Sequence, residues 1–215
     1  MAFDVPIFVN VRDRLTDLRA LVGWLERAGH ERITLLDNDS EYPPLLDYLD
    51  ETPHAVVRLG ENLGARAIWE AGLVPDDEFC VYTDPDVVPL DECPPDAVER
   101  LVGLLHRHLS FSKAGLGLYL EDVPRTMLAY EWERGPQING REVEPHALES
   151  LIDTTFAVYR PGVGFGFRAI RTAYPYVARH GPWYRQDRPL TDEQFYLRRA
   201  RAGGEFSTWV SQCAG

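Results

Sequence analysis

The chain has 215 residues, enough for one well-buried domain, and its 45% hydrophobic and 26% charged residues are ordinary for a globular protein. The net charge of -12 argues against a protein that holds nucleic acid through phosphates, because such proteins need clustered Lys and Arg. No stretch reaches the roughly 18 uninterrupted apolar residues of a membrane span, and no signal-peptide pattern is evident. We therefore expect a cytoplasmic protein with no stable nucleic-acid binding.

The first part of the chain alternates short apolar runs with amphipathic stretches. The apolar runs predict strands at residues 5–11, 33–36, 55–59 and 79–82. The amphipathic stretches predict helices at 15–25, 45–49 and 65–71. Strands that alternate with helices are typical of βαβ units, so we predict an α/β fold with a mostly parallel central sheet flanked by helices.

The second part of the chain is less regular, and we expect a mixed arrangement there. Helical spacing predicts helices at 97–108 and 190–202, and apolar runs predict strands at 115–120, 126–132 and 152–159. The polar, Pro- and Gly-bearing stretch 135–144 is expected to be a mobile loop over the site. No repeat or linker divides the chain, so we predict a single domain over 1–215.

Polar clusters follow the predicted strands of the first part of the chain. They lie at residues 12–14, 37–40 and 62–66, and at Asp84 with Asp86. In parallel sheets, ligands bind beyond the carboxyl ends of the strands. The sequence therefore predicts a binding site at this edge.

Asp84 and Asp86 are two carboxylates one residue apart, with Pro85 between them. On an extended backbone their side chains point the same way, and two such carboxylates repel each other unless a cation joins them. Oxygen ligands of this kind suit Mg²⁺ or Mn²⁺. Asp and Pro are also common in turns, so a plain turn is the alternative interpretation. Neither a Gly-x-Gly-x-x-Gly nor a Gly-x-x-x-x-Gly-Lys segment is present, which leaves mononucleotide binding through a metal.

Several of these segments together resemble the GT-A nucleotide-sugar glycosyltransferases, especially the inverting group that includes cellulose- and chitin-synthase-like enzymes. The resemblance covers most of the chain and rests on the polar turn 37–40, the Asn-x-Gly segment at 62–64, Asp84-Pro85-Asp86, the stretch 153–160, and the acidic pair at 192–193. The pair usually has the order Glu-Asp, and here it is Asp192-Glu193. The Gln-x-x-Arg-Trp segment of processive synthases is absent, which favours a single sugar transfer.

The resemblance implies a single GT-A domain with a nucleotide-binding half, 1–90, and an acceptor-binding half, 91–215. It implies transfer of one sugar, with inversion, from a nucleoside-diphosphate sugar (UDP type favoured) to an acceptor hydroxyl, with Mn²⁺ or Mg²⁺ as cofactor. The acceptor, a saccharide, small molecule or modified macromolecule, stays open. The implied nucleotide-binding residues are Asn10, Arg12, Asp37, Asn62, Arg66 and Asp84. The implied metal ligands are Asp84, Asp86 and His180, and the candidate catalytic bases are Asp192, then Glu193, then Asp153.

Two other functions stay open beside this one. A sugar-nucleotidyltransferase uses a similar sheet, although the Arg12-Asp13-Arg14 segment lacks the glycines typical of that class. A catalytically silent nucleotide- or sugar-binding module would keep the same polar edge. Asp192 and Glu193 could also serve only the start of a helix, where acidic residues are favourable.

Overall fold

The computed structural model describes residues 4–123, 125, 128–153, 155–185 and 190–203. The strands in chain order are β1 (Ile7–Val11), β2 (Ile33–Asp37), β3 (Ala55–Arg58), β4 (Cys80–Thr83), β5 (Val87–Pro89), β6 (Lys113–Gly115), β7 (Gly117–Leu118), β8 (Arg141–Glu144), β9 (Ala147–Leu151), β10 (Ala157–Tyr159), β11 (Arg168–Thr172) and β12 (Val177–His180). The α-helices are α1 (Thr16–Arg27), α2 (Pro43–Glu51), α3 (Ala67–Glu70), α4 (Ala97–Arg107), α5 (Leu128–Asn139) and α6 (Thr191–Ala202). Short 3₁₀ turns lie at Gly64–Arg66 and Gly181–Tyr184.

Within the described residues, nine strands form one sheet in the order β3-β2-β1-β4-β10-β6-β11-β9-β8. Strands β3, β2, β1 and β4 are parallel, whereas β10 runs antiparallel to both β4 and β6. Strand β11 is parallel to β6 and antiparallel to β9. A smaller sheet has the order β5-β12-β7. The predicted α/β class, with a parallel first part and a mixed second part, is confirmed.

The core lies on both faces of the large sheet. Because successive strand side chains point to opposite faces, Leu35 and Val81 pack with α1, α2 and α4, while Leu36 and Tyr82 pack with Ile68 of α3 on the other face. Helix α1 presents Leu18, Leu21, Val22 and Leu25 to the sheet, the spacing that predicted it. None of the helices in the described part of the chain is long and apolar enough to cross a membrane.

Two predicted elements of the second part were wrong, and a third was only partly right. Residues from 128 onward, expected as a strand over 126–132, belong to helix α5, and Thr126 and Met127 lie outside the described residues. The expected loop 135–144 is instead the end of α5 followed by edge strand β8. The expected strand 152–159 is only the short β10, because the chain leaves the sheet after β9. Packing of α5 against β9 outweighs the local turn signals of Gly and Pro.

Candidate functional site

The carboxyl ends of β1, β2 and β4 bring together polar segments that are far apart in sequence. The backbone N–H of Asp13 donates to Ser40 Oγ at 3.3 Å, which joins the segments after β1 and β2. Arg14 reaches Asp86 in the turn between β4 and β5. The parallel pairing of β1 with β2 and β4 is what places these three turns at one edge.

Arg14 is the centre of this edge. Its NH1 donates to Asp86 Oδ2 at 2.6 Å, and its Nε and NH2 donate to the two Glu193 oxygens at 2.8 and 3.0 Å. The guanidinium also lies 3.9 Å from the ring centre of Tyr196. Although burial opposes its charge, Asp86 and Glu193 raise the pKa of Arg14 above its ordinary value. One buried cation therefore ties the end of β1, the Asp86 turn and α6 together.

Asp86 and His180 form the part of the site that fits a divalent cation. His180 Nε2 lies 3.5 Å from Asp86 Oδ2, and the side chains are only 19% and 2% exposed. Antiparallel pairing of β12 with β5 sets His180 opposite Val87, and Gly181 N–H donates to the Asp86 carbonyl at 2.8 Å. Such a spacing suits two ligands of one ion, and Mg²⁺ is typically held by one or two carboxylates with waters and phosphate oxygens.

The ionisation of this pair agrees with metal binding. Burial opposes the charge of Asp86, but Arg14 and His180 lower the pKa of Asp86 below its ordinary value. Burial lowers the pKa of His180, against the attraction of Asp86. Both pKa shifts favour the forms in which these side chains bind a metal, the ionised carboxylate and the neutral imidazole. Across the described residues, however, no three His, Cys, Asp or Glu side chains converge as a metal site, so the predicted set of Asp84, Asp86 and His180 is reduced to a pair.

Asp84 differs from Asp86 in its surroundings. Asp84 is half-buried, whereas Asp86 is almost wholly buried. Burial raises the pKa of both Tyr82 and Tyr159, and the charge of Asp84 raises both further. Asp84 is therefore electrostatically coupled to the α3 face of the sheet, beside the loop at 62–66.

Four of the predicted nucleotide-binding residues lie in or beside the loop at 62–66: Asn10, Asn62, Arg66 and Asp84. Asn10 and Asn38 both donate to the Gly64 carbonyl, at 3.2 and 2.9 Å, and Asn62 Oδ1 accepts from Gly64 N–H at 3.0 Å. Gly64 has a φ of +71°, a conformation that favours glycine. The Asn10 Oδ1 acceptor is buried and has no partner among the described residues. The Arg66 guanidinium lies 4.4 Å from the Phe165 ring centre.

The two other predicted nucleotide-binding residues have protein partners. Asp37 is 5% exposed and accepts from Ser40 N–H at 3.0 Å and from Arg58 NH1 at 2.8 Å. Arg12 forms a longer ion pair with Asp39, with 3.9 Å between NH2 and Oδ2. Asp37 therefore shapes the turn at the end of β2, and its assignment as a nucleotide ligand stays a prediction.

The three candidate bases have different environments. Asp192 accepts backbone N–H groups of Leu15, Thr16 and Glu193 at 2.9, 2.6 and 2.9 Å, so it caps the start of α1. Glu193 faces Arg14 and, through it, Asp86. Asp153 is exposed, and its carbonyl accepts from Lys113 at 3.1 Å. Of the acidic pair, Glu193 is the residue whose carboxylate belongs to the Asp86 cluster.

Helix α6 covers this edge through a second arginine that the sequence analysis missed. Arg199 donates to Asp13 Oδ2 at 2.8 Å, to Asp39 Oδ2 at 2.9 Å and to Glu41 Oε1 at 2.8 Å. Asp13 has a φ of 56° and also accepts from the backbone N–H groups of Glu41 and Tyr42. These partners are 158 to 186 residues apart from Arg199 in the chain, so no local signal indicated them.

Lys113, the only lysine of the chain, is fully buried. Its Nζ donates to the carbonyls of Ile152 and Asp153 at 2.6 and 3.1 Å, and it lies 4.8 Å from the Phe165 ring centre. Burial lowers the pKa of Lys113 from 10.5 to about 8, against the attraction of Asp153. A buried lysine side chain with a lowered pKa is therefore part of the fold.

This shift predicts a pH dependence of stability. Between pH 8 and 10.5 the unfolded state binds more protons at Lys113 than the folded state does, so its contribution to the unfolding free energy rises with pH, by about 3 kcal/mol in all. Urea unfolding should show this rise as a difference between the wild type and Lys113→Met. Burial raises the pKa of Cys80 and Cys93 to about 12, so their contribution to the unfolding free energy falls as pH rises. Both proteins contain these cysteines, so their contribution cancels in the difference between the wild type and Lys113→Met. Parallel profiles for the two proteins would contradict the prediction, as would an ordinary pKa for the sole ¹³C-lysine NMR signal.

Comparison with known proteins does not identify a family. No protein-family model matches the chain, and no curated protein matches it. Among solved structures, it is similar to a glucosyl-3-phosphoglycerate synthase from Mycobacterium tuberculosis in complex with phosphoglyceric acid, with 14% identity and a TM-score of 0.44 over 73% of this chain and 57% of that one. This chain thus spans little more than half the length of that enzyme.

Two further solved structures are 4-diphosphocytidyl-2C-methyl-D-erythritol synthases. The one from Anaerococcus prevotii has 9% identity and a TM-score of 0.44, covering 91% of this chain and 100% of that one. The other has 10% identity and a TM-score of 0.40, covering 91% and 98%. All three TM-scores are below 0.5, so these similarities do not assign a function to this protein.

Proposed function

We propose that the protein is a glycosyltransferase that moves one sugar from a nucleoside-diphosphate sugar, UDP type favoured, to an acceptor hydroxyl, with inversion. The observation that carries this proposal is the Asp86–His180 pair at the carboxyl edge of β1, β2 and β4. Parallel sheets bind ligands at that edge, and the Asp-x-Asp segment that resembles the GT-A enzymes supplies Asp86. Support also comes from the loop at 62–66, which Asn10 and Asn38 hold against the same edge.

Asp86 and His180 would hold Mn²⁺ or Mg²⁺, and waters and diphosphate oxygens would complete its shell. The ion, when bound, offsets negative charge that develops on the leaving diphosphate. Arg14 keeps Asp86 oriented through its 2.6 Å hydrogen bond. Asn10, whose Oδ1 is a buried acceptor, and Arg66, which stacks on Phe165, are the residues we assign to the nucleotide. Asp84, which is half-buried, is assigned to the ribose.

We assign the base that takes the proton of the acceptor hydroxyl to Glu193. A carboxylate within hydrogen-bond reach of the acceptor can do this, and Glu193 is joined to Asp86 through Arg14. Both carboxylates of the acidic pair accept hydrogen bonds at both oxygens, but Asp192, the first candidate from the sequence, accepts backbone N–H groups and holds the start of α1, whereas Glu193 accepts from the Arg14 guanidinium within the Asp86 cluster. Asp153 is the candidate with an exposed carboxylate and remains second.

The proposal predicts turnover that depends on Asp86. Incubation with nucleotide sugars, Mn²⁺ and a mixture of acceptors should release a nucleoside diphosphate, and Asp86→Ala should lower the rate by at least about a hundredfold, because the ion loses its carboxylate ligand. The exposed Asp77→Asn variant is a control that should keep the wild-type rate. Release of pyrophosphate from a nucleoside triphosphate and a sugar phosphate would instead favour a nucleotidyltransferase. Binding of donor without release of either product would favour the silent module.

A further inference from the structure

A cavity of about 530 Å³ lies between β7, β9, β11 and β12, away from the Arg14 cluster. That volume is within the range of small-molecule sites, roughly 300–1,000 Å³. Tyr174 contributes to its wall and is 56% exposed, so the cavity reaches the protein surface. Gly117 allows the walls to approach, because a Cβ there would lie 2.3 Å from the Thr172 carbonyl oxygen. The cavity is thus built by the sheet framework.

The wall is apolar and aromatic over most of its extent. Leu118, Leu148 and Val177 supply aliphatic surface, and Tyr119 and Tyr174 supply rings. Apolar walls with a few polar groups are typical of pockets that bind small organic molecules. The body of a matching ligand would be apolar and ring-shaped, since rings pack favourably on tyrosine faces.

Two charged residues from the described part of the chain line the cavity: Glu121 is exposed, and Arg171 is buried. Arg171 is 2% exposed, and its NH1 and NH2 both donate to Glu133 of α5. Its Nε–H is buried and has no hydrogen-bond partner among the described residues. Buried donors are nearly always paired in native proteins, so the unpaired Nε–H is the donor of Arg171 that an acceptor on a ligand would satisfy. A carboxylate or phosphate oxygen is the acceptor that guanidinium groups bind best.

The cavity is connected to the Asp86–His180 pair by β12. Val177, in the cavity wall, pairs with Gly117 of β7, and three residues further along the strand His180 pairs with Val87 of β5. At about 3.3 Å per residue, these three steps cover roughly 10 Å. The cavity wall at Val177 and the place where we propose that sugar transfer occurs are therefore within the length of one small ligand of each other.

We propose that this cavity is the acceptor site, and that the acceptor is a molecule with an apolar ring body and one carboxylate or phosphate group directed at Arg171. The inference rests on the proposed function for its claim that the ligand is an acceptor. Its claim about the ligand's chemistry rests on the cavity and Arg171 alone. The hydroxyl that receives the sugar lies at the end of the acceptor remote from Arg171.

Calorimetric titration with simple probes tests this assignment without knowledge of the natural acceptor. Benzoate and phenyl phosphate should bind at least tenfold more tightly than the neutral benzamide and phenyl glucoside. Of the two anions, the tighter one indicates whether the acceptor is a carboxylic acid or a phosphate ester. The affinity of each anion should be the same with and without UDP and Mn²⁺, because the cavity and the nucleotide site are separate.

Two variants localise the binding. Leu148→Trp should fill the cavity and lower benzoate affinity at least tenfold, and Leu109→Trp, on an exposed surface, is its matched control. Arg171→Lys keeps a positive charge but lacks the Nε–H, and should weaken benzoate similarly. Thermal melting without ligand and a UDP titration with Mn²⁺ confirm that each variant is folded and has its nucleotide site.

The outcomes separate this inference from the proposed function. Nucleotide binding together with equal affinity for benzoate and benzamide, or with no binding of any probe, would overturn the acceptor class and leave the transferase proposal standing. Benzoate binding that survives in Leu148→Trp would overturn the location. Cavity-dependent benzoate binding in a protein that binds no nucleotide would overturn the acceptor role and the proposed function together.

Discussion

Arg14→Met should lower the free energy of unfolding by about 3–5 kcal/mol, because it leaves two buried carboxylates without their cation. The Asp86 and Glu193 side chains are 2% and 3% exposed, and Arg14 makes three hydrogen bonds to them. Because the Arg14 side chain is itself only 11% exposed, little water can reach the two carboxylates in its place. Urea unfolding of the two proteins measures the difference directly.

A matched control for Arg14→Met lies on the same helix that Arg14 holds. Arg198→Met in α6 removes an exposed guanidinium, and its effect should stay within about 0.5 kcal/mol. Arg14→Lys should fall between the two, since an ammonium keeps the charge but cannot reach both carboxylates with a planar fork. A loss below about 1 kcal/mol for Arg14→Met would show that the cluster does not depend on this cation.

Asp192→Asn and Glu193→Gln should have different consequences, although the residues are adjacent. Asp192 accepts three backbone N–H groups, two of them at the start of α1, so Asp192→Asn should cost about 1–3 kcal/mol of stability. Transfer should persist at temperatures where that variant is folded. Glu193→Gln should lower transfer by at least about a hundredfold, because the amide cannot take a proton.

Stability and initial rate, measured on both variants, separate capping from proton transfer. Asp77→Asn, an exposed Asp-to-Asn change, is the control for stability. An Asp192→Asn protein that is folded and inactive, beside an active Glu193→Gln protein, would reverse the assignment. Activity in both would transfer the role of base to Asp153.

The first part of the fold could be predicted from sequence because its signals are local. Apolar runs marked β1 to β4, and the leucine spacing of α1 marked its buried face. Since parallel strands end at one edge, the positions of the polar turns followed from the strands alone. The prediction for the α5 region was wrong because Gly135 and Pro136 indicate a break, whereas tertiary packing against β9 favours a helix.

The partners within the site could not be predicted in the same way. Arg14 and Glu193 are 179 residues apart, and nothing local distinguishes their contact from a solvated surface pair. Asp192 caps α1 from 177 residues away in the sequence. The acidic pair could therefore be found, but the capping role of Asp192 could not be separated from the role of Glu193 beside Arg14. The burial of Arg171 could not be predicted from the sequence, because it depends on the contact between β11 and α5.

The central claim is that a nucleoside diphosphate binds at the carboxyl edge through a cation on Asp86 and His180. Thermal melting with UDP, GDP, CDP or dTDP, each with and without Mn²⁺, tests it most directly. A ligand that binds only the folded state stabilises it by about 2.7 kcal/mol at a hundred times its Kd. We predict a rise in Tm with one of these nucleotides, UDP first, that requires Mn²⁺ and is absent in Asp86→Ala. No rise with any nucleotide, or the same rise without Mn²⁺, would contradict the claim.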